Sequence, residues 1–146
     1  MADDVQVRVL AEARRWIGTP YVHQASCRGA GTDCLGLLRG VWRAVRGQEP
    51  CPVPAYTADW AEPDRQEVLL DAARHWLVEK PLAKVAPGDV LVFRMRAGGI
   101  AKHLGVQAET GAGASFVHAY SGHCVVESPL SGPWARRIAG RFGWPD

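Results

Sequence analysis

Four cysteines and five histidines supply the nucleophiles and proton carriers of this chain, and their positions set them apart. Cys34 follows Asp33 and precedes Leu35, Leu38, Val41, Trp42 and Val45, an apolar series at helical spacing. Asp33 is therefore placed as an N-cap and Cys34 in the first helical turn, where unpaired backbone N–H groups and the positive end of the helix dipole favour an anion. A thiolate is such an anion. This placement predicts a thiol pKa about two units below the usual ~8.5, which would make the sulfur largely nucleophilic at neutral pH. Cys27 falls in a loop, Cys51 in a Pro-rich stretch and Cys124 at the start of an apolar run. With no Cys-x-x-Cys pair, these three read as ordinary reduced thiols.

A nucleophilic cysteine needs a base within reach and a third group to orient that base. His103 opens the apolar run His103-Leu-Gly-Val-Gln107, and His118 lies in the next one, Ser115-Phe-Val-His-Ala-Tyr120. If residues 109–114 form the turn, the two histidines share paired neighbouring strands at a distance suited to an imidazole–imidazole hydrogen bond. His118 and His123 have the spacing of half a zinc site but lack a cysteine pair to complete it, so neither metal nor cofactor is expected.

The elements that must carry these residues follow from periodicity and punctuation. Val5, Val9, Ala13, Trp16 and Ile17 predict a first helix over 5–17, with Asp3 or Asp4 as cap and Gly18 as stop. Residues 18–33 read as loop, and the series after Cys34 as a second helix. Four prolines (Pro50, Pro52, Pro54 and Pro63) make residues 46–63 a surface excursion, and Val68, Leu69, Ala72, Trp76 and Leu77 predict a third helix over 64–79. After the turn Ala86-Pro-Gly-Asp89, short β-rich runs at 90–95, 103–107, 115–120 and 124–128 predict an antiparallel meander. Helices followed by strands define an α+β domain, taken as a single unit over 1–146.

Composition agrees and excludes other classes. At 146 residues, 47% hydrophobic and 22% charged, the chain has the make-up of one globular domain. A net charge of +2 gives no bulk attraction for nucleic acid. No run approaches the ~20 apolar residues of a membrane span, and the acidic start Met1-Ala2-Asp3-Asp4 is unlike a secretory signal. The expectation is a soluble protein made in the cytoplasm, without membrane insertion.

Five blocks in order, Trp16-Ile-Gly-Thr-Pro-Tyr21, Thr32-Asp-Cys-Leu-Gly-Leu37, Pro87-Gly-Asp-Val-Leu-Val-Phe93, His103-Leu-Gly-Val106 and Val117-His-Ala119, resemble the NlpC-type bacterial cell-wall cysteine peptidases, which have a reduced papain-like fold. The resemblance implies Cys34 as nucleophile, His103 as general base and then acid, His118 as the polar group orienting His103, and Tyr21 as a hydroxyl beside the thiol or oxyanion. It also implies a peptidoglycan stem peptide as substrate, typically cut between D-glutamate and the diamino acid. An amidase freeing the stem peptide from glycan and an idle structural tail adaptor remain alternatives on the same fold.

The chain departs from the family pattern beside the nucleophile. Leu35 stands where the family usually has Ser, and Gln24 and Ala25 where it often has two glycines. These changes leave the proposed catalytic set intact and bear on substrate preference. His23 in the same loop, with Arg28, Arg96 and Lys102, supplies candidate contacts to an anionic stem peptide. The Thr32–Arg39 version of the nucleophile block resembles the phage and phage-derived tail branch, implying tail or baseplate proteins as partners and action at the periplasmic wall. Arg39, Arg43 and Arg46 on the second helix and Trp60 in the excursion are candidate docking residues.

Overall fold

The structure is a computed structural model that describes residues 2–51, 56 and 66–145. Helix α1 spans Ala2–Arg15 and buries Val5, Val9 and Ala13, the stripe read from sequence, with Trp16 just beyond its end. Gly18, at φ +95°, turns the chain out of the helix, and its N–H donates to the Val125 carbonyl. Helix α2, Cys34–Arg46, lies against α1 and buries Leu37, Gly40 and Val41. A Cβ on Gly40 would stand 2.0 Å from the Trp16 ring, so the close approach of the two helices depends on that glycine.

Residues 18–33 are not all loop. Strands β1 (Ser26–Cys27) and β2 (Gly31–Thr32) form a two-stranded hairpin that packs on α2. The third helix is shorter than its periodicity predicts. Helix α3 covers Val68–Trp76, and the chain then extends as strand β3, Val78–Lys80, which pairs antiparallel with β8 (Ile138–Gly143). Sheet pairing captured residues whose apolar spacing alone favoured continued helix. Of the excursion, Pro52, Pro54, Trp60 and Pro63, with the expected helix start at 64 and 65, lie outside the described residues.

Strands β4 (Val90–Arg94), β5 (Ala101–Gln107), β6 (Ser115–Ala119) and β7 (Val125–Pro129) form the expected meander. The whole sheet has the order β3-β8-β4-β5-β6-β7 and is antiparallel throughout. It is therefore more than a meander, because β8 returns after the short helix α4, Gly132–Ala135, to pair with β4. Val90, Val92, Leu104 and Val106 join the helices in the main core, whereas Leu91, Phe93 and Phe116 form a second cluster with Trp134 on α4. This is the α+β arrangement expected from sequence.

The Pro87-Gly-Asp89 block anchors the sheet to α1. Asp89 is fully buried and accepts from Lys80 Nζ at 2.7 Å, Arg141 Nη1 at 2.8 Å, Ala86 N at 2.9 Å and Gln6 Nε2 at 3.0 Å. Gly88 at φ +85° lies so close to Gln6 that a Cβ would stand 2.3 Å from its carbonyl oxygen. Glycine and aspartate are both required at this corner, one for space and one as a buried acceptor.

Candidate active site

Cys34 stands where the hairpin loop becomes α2. Asp33 has extended backbone and Oδ1 accepts the Gly36 N–H at 2.7 Å, which is the capping geometry expected from sequence. Its Oδ2 accepts the Gln24 N–H at 2.7 Å and the Tyr56 hydroxyl. Gln24 sits at φ +65°, in the left-handed region that favours glycine. The backbone at this point adopts a conformation that suits glycine although the residue is Gln. The strained N–H is held by Asp33 and the Gln24 side chain by the Tyr56 carbonyl at 2.6 Å.

His103 Nε2 lies 2.9 Å from His118 Nδ1, and His118 Nε2 lies 2.9 Å from Ser128 Oγ. Gly105 permits the approach of β6, since a Cβ there would stand 2.8 Å from the Phe116 ring and 3.1 Å from His118 Cβ. Both imidazoles are buried. Trp134 covers them at ring separations of 5.6 Å from His103 and 5.2 Å from His118, with Phe93 and Phe116 closing the same shell.

A cleft of about 280 Å³ brings Cys34, His103, Tyr21 and Tyr120 together, with His23 and Lys102 also on its lining. His118 stands behind His103. Arg28 pairs with Glu12 at 3.8 Å, and neither it nor Arg96 lines the cleft. Of the candidate arginine stripe on α2, Arg39 and Arg43 both bind Glu49 and Arg43 also reaches Ser26, whereas Arg46 Nη2 is buried without a hydrogen-bond partner among the described residues. A second cavity of about 250 Å³, lined by Leu38, Trp42, Leu69, Trp76 and Val92, is apolar. Its charged lining groups among the described residues, Arg39 and Glu49, are paired to each other. Among the described residues no cluster of His, Cys, Asp or Glu could hold a metal, and no helix is long and apolar enough to cross a membrane.

The thiol pKa departs from the sequence expectation in direction. Burial pushes Cys34 up to about 12, the Asp33 charge adds to the rise, and the backbone N–H groups of Leu104, Leu35 and Cys34 itself oppose it. The helix terminus is present, but the thiol of a residue only 7% exposed loses more solvation as an anion than those amides return. Burial likewise lowers His103 to about 3, assisted by His118, and lowers His118 to about 4, assisted by His123. At neutral pH the cleft therefore holds a neutral thiol beside neutral imidazoles. Tyr21 is raised to about 12 by burial and by the Cys34 and Asp33 charges, so its hydroxyl remains a donor.

Sequence reasoning did not single out Tyr56, Ser128 or Trp134. Tyr56 sits in a Pro-rich stretch without period. Ser128 becomes visible only once the register is known: His118 opposes Val126, which puts Ser128 two positions along the same strand face.

No protein-family model matches the sequence. Among curated proteins, the chain is 31% identical over 137 residues, 92% of its length, to a gamma-DL-glutamyl hydrolase of Bacillus subtilis. It spans only 28% of that relative. Among solved structures, the NlpC/p60 domain of the peptidoglycan hydrolase SagA matches with a TM-score of 0.62 and 23% identity, over 97% of this chain and 98% of that one. A lipoprotein-like NLP/P60 protein of Staphylococcus aureus matches with a TM-score of 0.63 and 20% identity, over 96% of this chain and 41% of that one. NlpC1 of Trichomonas vaginalis matches at 0.59 and 21%, over 99% and 44%. The fold is that of the papain-like NlpC/P60 domains.

Proposed function

We propose that the chain is a thiol hydrolase that cleaves an amide bond in peptidoglycan stem peptides, on the D-glutamyl side of the diamino acid. The observation that carries this reading is the shared cleft of Cys34, at a capped helix head, and His103, whose far nitrogen is tied to His118. The gamma-DL-glutamyl hydrolase relative and the peptidoglycan hydrolase among the fold neighbours support the substrate class.

The chemistry follows from a neutral pair. With Nε2 engaged by His118, His103 Nδ1 is the nitrogen that exchanges a proton with Cys34. His103 takes the thiol proton as sulfur attacks the amide carbon, so charge develops only as the new C–S bond forms and a preformed thiolate is not needed. The carbonyl oxygen, now anionic, meets the Cys34 N–H and the Tyr21 hydroxyl. The resulting His103 imidazolium protonates the leaving nitrogen, the C–N bond breaks and a thioester remains. Water, deprotonated by His103, then attacks the thioester and returns the proton to sulfur as the acid leaves. Lys102 and His23 on the cleft lining supply donors for a substrate carboxylate.

Digestion of purified peptidoglycan by the wild type and by C34A, with fragments identified by mass spectrometry, tests the reading. New amino termini on the diamino acid, absent with C34A, are expected. Intact stem peptides freed from glycan would make the protein an amidase instead, and no release by wild type would leave the adaptor reading. Carriage in a phage or phage-derived tail is the finer proposal. It is supported by the likeness of the Thr32–Arg39 block to that branch, and its test is detection of the chain in purified particles.

A further inference from the structure

The hydroxyl at the far end of the histidine pair has no role in the chemistry above. A neutral imidazole carries one proton, and the two rings share one hydrogen bond, so the pair has two internally consistent arrangements. In the first, His103 carries its proton on Nε2 and donates to His118 Nδ1, which puts the His118 proton on Nε2, facing Ser128 Oγ. His103 Nδ1 is then a free base. In the second, His118 carries its proton on Nδ1 and donates to His103 Nε2, which moves the His103 proton to Nδ1 and removes the base. A hydroxyl facing the outer nitrogen of His118 can accept from it in the first arrangement or donate to it in the second, so its influence lies in which arrangement suffers more when it is removed.

We propose that Ser128 is a positioning residue that accepts the His118 Nε2 proton and thereby holds the histidine pair in the arrangement that leaves His103 Nδ1 basic. The surroundings give this hydroxyl its leverage. His118 is buried among Phe116, Tyr120 and Trp134, at ring separations of 4.1, 5.9 and 5.2 Å, and its other ring nitrogen is already engaged. A buried N–H without an acceptor is costlier than a buried nitrogen lone pair without a donor, so loss of the hydroxyl favours the second arrangement. Ser128 is itself held in register. Phe116 opposes it on β6, and the neighbouring Glu127 is fixed by Arg14 at 3.0 Å and Ser115 at 2.7 Å. The link to catalysis rests on the reading of Cys34 as nucleophile, whereas the tautomer assignment does not.

The test compares S128T with S128V, two variants of one shape that differ in the hydroxyl, both suited to a strand. The side chain of the valine also fills the space a substituting water would need. Nitrogen-15 histidine spectra report which ring nitrogen is protonated, and iodoacetamide labelling of Cys34, with exposed Cys27 in the same molecule as reference, reports proton removal. Neither readout needs substrate. Wild type and S128T are expected to show His118 protonated on Nε2 and His103 on Nε2. S128V is expected to shift both rings toward Nδ1 protonation and to slow Cys34 labelling about tenfold relative to Cys27. Unchanged ring protonation in S128V, whatever its thermal stability, overturns the proposal. If the tautomers shift as expected in S128V while the wild type does not digest peptidoglycan, the positioning role stands and the proposed substrate falls.

Discussion

His103 and His118 sit on neighbouring strands with Nε2 and Nδ1 2.9 Å apart, so the ring that lines the cleft with Cys34 is hydrogen-bonded to a second ring instead of a carboxylate. In the mechanism proposed above, a neutral orienter accepts a hydrogen bond without fixing a counter-charge, which suits a pair that stays uncharged until attack. Replacing His103 with Ala is expected to abolish peptidoglycan cleavage. H118A is expected to lower it by about a hundredfold, and H118N by less, because the Asn carbonyl can still accept from His103 Nε2. Initial rates of fragment release measure this ranking, and equal rates for H118A and wild type would remove His118 from the mechanism.

The depressed histidines make stability depend on pH with a definite sign. His103 at about 3 and His118 at about 4 lie below the ~6.5 of an unfolded histidine, so between those values the unfolded chain binds more protons. Their contribution is complete above about pH 6.5 and is lost as pH falls. At about pH 5 each histidine is expected to cost on the order of 2 kcal/mol relative to neutral pH. Urea unfolding at the two pH values measures the loss, which H118N should reduce by about half. Indifference of the wild type to this change would refute the burial argument.

Thiol reactivity is expected to run opposite to nucleophile placement. Burial raises Cys34 to about 12, whereas Cys27 and Cys124 are exposed. At neutral pH iodoacetamide should therefore label Cys27 and Cys124 before Cys34, as read by peptide mapping over time. Preferential labelling of Cys34 would mean that the resting cleft already holds the thiolate.

Much of this arrangement was written in local sequence pattern. The cap at Asp33, the helix behind it and the strand pair carrying His103 and His118 each follow from spacing over fewer than about twenty residues. What escaped was set by distant partners. Val78 and Glu79 fall inside the expected third helix but are claimed with Lys80 as β3 by β8, some 60 positions later. The thiol pKa departs from its expectation for a related reason: the helix terminus is a local feature, whereas the burial that outweighs it is set by the packing of the whole domain. Ser128 depends on strand register, which no single strand reveals.

The Asp89 corner gives a stability test independent of function. Asp89 is fully buried and Arg141 is 3% exposed, and the carboxylate also holds Lys80, Gln6 and the Ala86 N–H. Removing the acceptor leaves buried Arg141 without its carboxylate and frees half-buried Lys80 at the same time, so D89A is expected to cost about 3–5 kcal/mol. R141M should cost less, because Lys80 still neutralises Asp89 at 2.7 Å and the Met chain fills the space of the Arg stem. The D89A/R141M double variant is expected to be more stable than the sum of the single losses implies, since the arginine that D89A leaves unpaired is gone. Urea midpoints of the four proteins close this cycle. Additive losses would mean that Asp89 and Arg141 act separately, and that the sheet corner is held by packing instead of by the buried ion pair.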